Sequence, residues 1–195
     1  MLALCMGIAA FALYFIYDVN SFLWKKSVPR TFFTAGSLLI AASVVLDMRS
    51  ALPSFSGVAD MLLLIMSVLS VTALIYTLFF ALPFEETYAR KEHERPVCDQ
   101  GVYALCRHPG ILCFFFAYLF AGLAALPSAE LLSHGILFSL LNLLYAWFQD
   151  RITFPRTFTD YHEYQQKVPF LLPTQTSTKR FIKTLNHSAS KEVEL

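Results

Sequence analysis

Long apolar runs along this chain alternate with short polar stretches. Residues 1–17, 31–46, 61–84 and 111–129 hold no Asp, Glu, Lys or Arg. Residues 131–149 hold only His134 as a titratable group apart from Tyr145. A barrel strand would alternate polar and apolar positions, and Met61–Leu82 (MLLLIMSVLSVTALIYTLFFAL) does not. Backbone N–H and C=O groups in lipid must be paired within the segment, so such runs are helical. One crossing of the hydrocarbon core takes about 20 apolar residues. The pattern predicts an all-α polytopic membrane protein with about five transmembrane helices. These are Leu2–Tyr17, Phe32–Leu46, Met61–Leu82, Ile111–Leu126 and Leu131–Phe148.

The polar stretches set the connections. Asp18–Arg30 reads as the first loop, and Asp47, Arg49, Pro53 and Asp60 mark the second. Pro83 ends the third run, and Glu85–His108 is the most polar stretch of the chain. Pro127 closes the fourth run and leaves a tight hairpin to the fifth. Residues 184–195, ending NHSASKEVEL, read as a flexible tail. The expected organisation is one membrane-embedded domain over 1–195. Three helices lie in 1–84, and a core with a helical hairpin lies in 98–173. Lys25, Lys26 and Arg30 place the first loop in the cytosol by the positive-inside rule. The N-terminus is then outside. Glu85–His108 and the C-terminal segment share a cytosolic face.

Composition agrees with this picture. The 195 residues are 56% hydrophobic, with mean hydropathy +0.54. Only 15% are charged, against about 25% in a soluble domain. The first apolar run has no basic segment before it, so it reads as a span rather than a signal peptide. No basic run is dense enough for a phosphate footprint, and no nucleic-acid partner is expected. Cys5, Cys98, Cys106 and Cys113 lack the spacing of a disulfide framework. The gaps between His93, Cys98, Cys106 and His108 match no standard zinc pattern, so no metal is expected. A transporter would be expected to carry ionisable groups near mid-membrane, and none stands near the centre of a span.

The candidate chemistry lies in two polar segments. The first ends Gly101-Val102-Tyr103-Ala104-Leu105-Cys106-Arg107-His108-Pro109, directly before the fourth span. Pro109 suits a first helical turn, where its missing N–H costs nothing. By position alone, Arg107 and His108 suit interfacial anchoring. The second segment begins at Gln149-Asp150 and runs through Tyr161 and Tyr164 to Pro173. A carboxylate at a helix C-terminus opposes the helix dipole, so Asp150 calls for a local partner.

The order G-x-Y-x-x-x-R-H-P, hairpin, acidic pair, Y-x-x-Y-x-x-x-V-P-x-x-L-P resembles the isoprenylcysteine carboxyl methyltransferase and phospholipid methyltransferase group. Gly101, Tyr103, Arg107, His108 and Pro109 carry the first motif. Tyr161, Tyr164, Val168, Pro169, Leu172 and Pro173 carry the last. The resemblance covers about Cys98–Pro173 and implies S-adenosylmethionine as cofactor. It also implies a lipophilic or lipidated methyl acceptor reached through the membrane lipid. This family has no Rossmann domain, and the chain holds no G-x-G-x-x-G. Under the resemblance, Arg107 and His108 suit the cofactor carboxylate by charge-assisted hydrogen bonds, and Asp150 suits its ammonium. Tyr103, Tyr161 and Tyr164 suit adenine packing or cation–π contact with the sulfonium. The family's Tyr and Gly after R-H-P are replaced here by Ile111 and Cys113. Its Glu pair becomes Gln149 and Asp150, and its Phe-Gly becomes Thr157 and Phe158. Two other readings remain open: a sterol reductase-like enzyme using NADPH, and a non-catalytic membrane scaffold.

Overall fold

The computed structural model describes residues 1–27, 31–51, 57–81, 96–126 and 129–192. Arg30, Pro53, Pro83, Pro127 and the polar residues 85–95, His93 included, lie outside the described residues. In chain order the helices are α1 Leu2–Val19, α2 Phe32–Ala51, α3 Val58–Phe79, α4 Val102–Leu105, α5 Pro109–Ala124, α6 Glu130–Phe148, α7 Phe154–Thr157, α8 Tyr161–Lys167 and α9 Gln175–Glu192. Two π-helical segments, Asn20–Trp24 and Gln149–Thr153, continue α1 and α6. No strand occurs among the described residues. Leu2–Trp24, Phe32–Ala51, Val58–Phe79 and Glu130–Thr157 are long and apolar enough to cross a membrane, and Pro109–Ala124 is a shorter apolar helix. The chain is an all-α polytopic membrane protein.

Helix bounds differ from the sequence expectation at several ends, and three of these differences have a clear local reason. The first helix does not stop at Tyr17, because Asp18 is buried among polar partners rather than hydrated in a loop. The Thr153 hydroxyl donates to Asp18 Oδ2 at 3.4 Å, and Gln149 and Tyr145 face the same carboxylate. Asn20 then closes the turn: its Nδ2 donates to Lys26 O, and Lys26 N–H donates to Asn20 Oδ1, both at 2.9 Å. The second helix runs past Asp47 to Ala51, because His134 Nδ1 lies 2.8 Å from Asp47 Oδ1. The stretch from 184, expected as a tail, is helical to Glu192. A reciprocal cap starts α9: Thr174 N–H donates to Ser177 Oγ at 2.9 Å, and Ser177 N–H to Thr174 Oγ1 at 3.2 Å. Ser177, Arg180, Phe181 and Thr184, at helical spacing, are its less exposed positions.

Packing groups the chain into two compact units, Met1–Val71 with Phe114–Thr153, and Thr72–Cys113 with Phe154–Leu195. The division runs through α3 and α5. The first unit has its core around Phe11, Tyr118, Leu131, Phe138 and Tyr145. Close helix approach there depends on small residues, as expected where lipid removes the hydrophobic drive between helices. A Cβ on Gly122 would meet Leu132 Cα at 2.8 Å, and one on Gly135 would meet Tyr118 Cβ at 2.7 Å. Ser43 donates to Ala3 O and Ser67 to Ala117 O, each at 2.8 Å, joining pairs of helices. Met61, Leu62, Ile65 and Leu69 on α3 are exposed, as a lipid-facing stripe would be.

The second unit holds the ends of α3 and α5 nearest the polar loops, together with α4, α7, α8 and α9. Its small core is Tyr161, Tyr164 and Val168, packed against Val97, Phe154 and Phe158.

Candidate cofactor-binding segments

The first motif is shaped by its glycine. Gly101 adopts φ +54° and ψ −136°, a conformation only glycine takes without strain. Its N–H donates to Thr184 Oγ1 at 3.2 Å, and its C=O receives Ala104 N–H at 2.9 Å to start α4. Tyr103 on α4 donates its hydroxyl to Thr77 O on α3 at 2.8 Å. The chain then becomes extended at Cys106 before Pro109 opens α5. Gly110 lets the start of α5 approach α3: its Cβ position is 3.4 Å from Leu74 Cδ1.

Arg107 joins the two motifs. Its backbone N–H donates to Pro169 O at 2.9 Å. Its Nη1 donates to Gln165 O at 2.9 Å and to Val168 O at 2.7 Å. These carbonyls lie at and just beyond the C-terminal end of α8, where a cation both satisfies orphan acceptors and complements the dipole. The guanidinium also lies over the Phe170 ring, 5.6 Å from its centroid. Tyr164 reaches the other way, its hydroxyl donating to Tyr103 O at 2.7 Å. His108 is buried; its ring stacks on Phe154 at 5.9 Å and meets Phe170 at 4.9 Å. Asp160 adds a further tie, Oδ1 accepting from Val97 N–H at 2.8 Å.

The second unit therefore brings together Gly101, Tyr103, Arg107, His108, Pro109, Tyr161 and Tyr164. Tyr161 and Tyr164 are 2% and 4% exposed, and their rings pack on Phe154, Phe158 and each other. Burial, with the nearby Cys106, Tyr103 and Cys98 adding to it, pushes the Tyr164 hydroxyl's pKa up, so it stays a neutral donor. Burial likewise pushes the Cys106 thiol up to about 11.

Gln149 and Asp150 belong to the first unit, in the π-helical turn after α6. Gln149 faces the Asp18 carboxylate, and Asp150 is 2% exposed. Insertions of this kind in helices recur at functional sites. Sequence reading missed Asp18 as a partner in this group. The available signal was an acid and an amide, Asp18 and Asn20, following an apolar run without a glycine or proline between them. It also missed the Asp47–His134 pair, which links residues 87 positions apart.

A comparison with protein families, with curated proteins and with solved structures found no match.

Proposed function

We propose that this protein is a membrane-integral methyltransferase that uses S-adenosylmethionine and acts on a lipophilic acceptor. The observation that supports this reading most is the pairing of the two motif segments. Arg107 hydrogen-bonds three backbone carbonyls between Gln165 and Pro169, some 60 residues along the chain. Residues that the family pattern places together are thus neighbours here through their own hydrogen bonds. The cofactor, when bound, supplies a methyl group on a sulfonium. Arg107 and His108 would meet its carboxylate, and the resemblance gives Asp150 to the ammonium. The acceptor would approach from the bilayer, and transfer then requires alignment more than proton movement. A carboxylate acceptor needs no general base. Five crossings fit this reading, with the N-terminus outside and the motif-bearing segments in the cytosol.

A second reading is a family-like scaffold without cofactor, and one observation favours it: Arg107 and the motif tyrosines already serve the fold. Calorimetry on the detergent-purified chain separates the two, with S-adenosylmethionine and NADPH titrated in parallel. Micromolar binding of S-adenosylmethionine, weakened about tenfold or more in Asp150→Asn and unchanged in Cys98→Ala, supports the methyltransferase. Binding of NADPH alone moves the assignment to a reductase, and binding of neither to the scaffold.

A further inference from the structure

The outer face of α9 has no role in the motif segments. Between Gln175 and Leu185 the sequence carries three cations, Lys179, Arg180 and Lys183, and no acid. Ser177, Phe181 and Thr184 turn toward the second unit, and Arg180 Nη1 donates to Lys167 O at 3.4 Å. That leaves Lys179, Ile182, Lys183 and Leu185 exposed, with Ile182 at 50% and Leu185 at 48%. At 100° per residue the two lysines, four residues apart, lie next to each other on the helix, and Ile182 and Leu185 both lie on the same side of them. An exposed apolar strip beside a basic strip is the pattern of a helix lying in a membrane interface.

The position of α9 within its unit supplies the lipid surface. A 22-residue α3 is about 33 Å long, against a hydrocarbon core of about 30 Å, so in a bilayer that it crosses its last turn at Thr77–Phe79 would lie close to headgroup level. Tyr76, Phe79 and Phe80 are exposed there, as interfacial aromatics are. Thr77 O accepts from Tyr103, and Gly101, two residues earlier, donates to Thr184 of α9. The helix is thus tied through one four-residue turn to the level where the headgroups begin. We propose that the α9 face formed by Lys179, Ile182, Lys183 and Leu185 docks on an anionic lipid surface. Ile182 and Leu185 enter the acyl boundary and the lysines pair with headgroup phosphates.

The test is amide hydrogen exchange of residues 178–185 in the full chain. It is held in nanodiscs of phosphatidylcholine, or of phosphatidylcholine mixed with phosphatidylglycerol. Each lysine near an anionic surface contributes about a fivefold effect, so exchange should be about 25-fold slower in the anionic discs. Lys179→Gln with Lys183→Gln should remove that difference, as should high salt. Ile182→Ser should speed exchange in both disc types. Exchange of Tyr161–Lys167 reports whether the unit stays folded in each variant. Equal exchange in the two disc types overturns the proposal, as does slowing that survives the double lysine variant. Protection that appears in lipid-free detergent and rises with protein concentration also overturns it, and assigns the face to a second copy of the chain.

Discussion

Arg107 shows how one side chain answers to both fold and chemistry. The bonds from its guanidinium Nη1 to Gln165 O and Val168 O are charge-assisted. Hydrogen bonds to charged groups contribute about 1.5–3 kcal/mol each, and removal of the donor also strands its acceptors. Arg107→Ala is therefore expected to destabilise the protein by about 3 kcal/mol or more. Thermal unfolding in detergent measures this, and an unchanged midpoint would show that the arginine does not hold α8. A loss of cofactor binding in that variant alone is ambiguous, which is why Asp150→Asn is the better binding probe. Cys106 offers a pH readout on the same unit. Burial raises its thiol from an ordinary 9.0 to about 11, so the unfolded chain ionises first. Its contribution to stability is complete below pH 9.0 and is lost as pH rises toward about 11. The thiolate is the reactive form, and Cys106 is almost fully buried while Cys98 is half-buried. Iodoacetamide at pH about 8 should therefore modify Cys98 well before Cys106. Equal rates would contradict the packing around Tyr164.

At the scale of elements, the apolar runs were readable because lipid requires them, and their ends were misread where polar residues have partners. Hydropathy stops at the first charge, and so placed Asp18 and Asp47 in loops. The helices continue through both, because a buried acid with a hydrogen-bonding partner no longer needs water. The partner of Asp47 is His134, on a helix 87 residues away, and no local pattern announces it. The motif segments were legible in another sense. Their residues were found, but the split between holding the fold and meeting a ligand depends on burial, which a sequence does not display. Tyr161 and Tyr164 are the example. The Asp47–His134 pair gives the corresponding test. Removing one member of a buried hydrogen-bonded pair typically costs about 1–3 kcal/mol, and more where the group left behind is charged, because that group has lost its partner. Asp47→Ala and His134→Ala should each reach that range, and the double variant should cost clearly less than their sum. Unfolding in mixed micelles reads all three, and strictly additive losses would mean that the two groups do not interact.

For the molecule as a whole, the number of crossings turns on α5. Its 16 residues span about 24 Å, short of a hydrocarbon core of about 30 Å. One further turn-type bond, Ala125 N–H to Ala121 O at 3.1 Å, extends it slightly. A short apolar helix can still cross if the bilayer thins locally, at a modest cost per ångström of mismatch. No charge lies in 111–129, so nothing within α5 prevents it from crossing. Five crossings put the two ends of the chain on opposite sides, and four put them on the same side. The cations Lys25 and Lys26, just after α1, favour a cytosolic first connection and hence an external residue 1. Cysteines added at each end, in a chain whose own cysteines are replaced, can be probed with an impermeant maleimide on intact cells. The expected outcome is labelling at the N-terminal end only, with the C-terminal end reacting after lysis. Labelling of both ends before lysis, or of neither, would mean that α5 turns back within the membrane. The motif residues that open α5, Arg107 to Pro109, would then lie on the same face as the end of α5. That would remove the opposite-side arrangement on which the cytosolic placement of both motif segments rests.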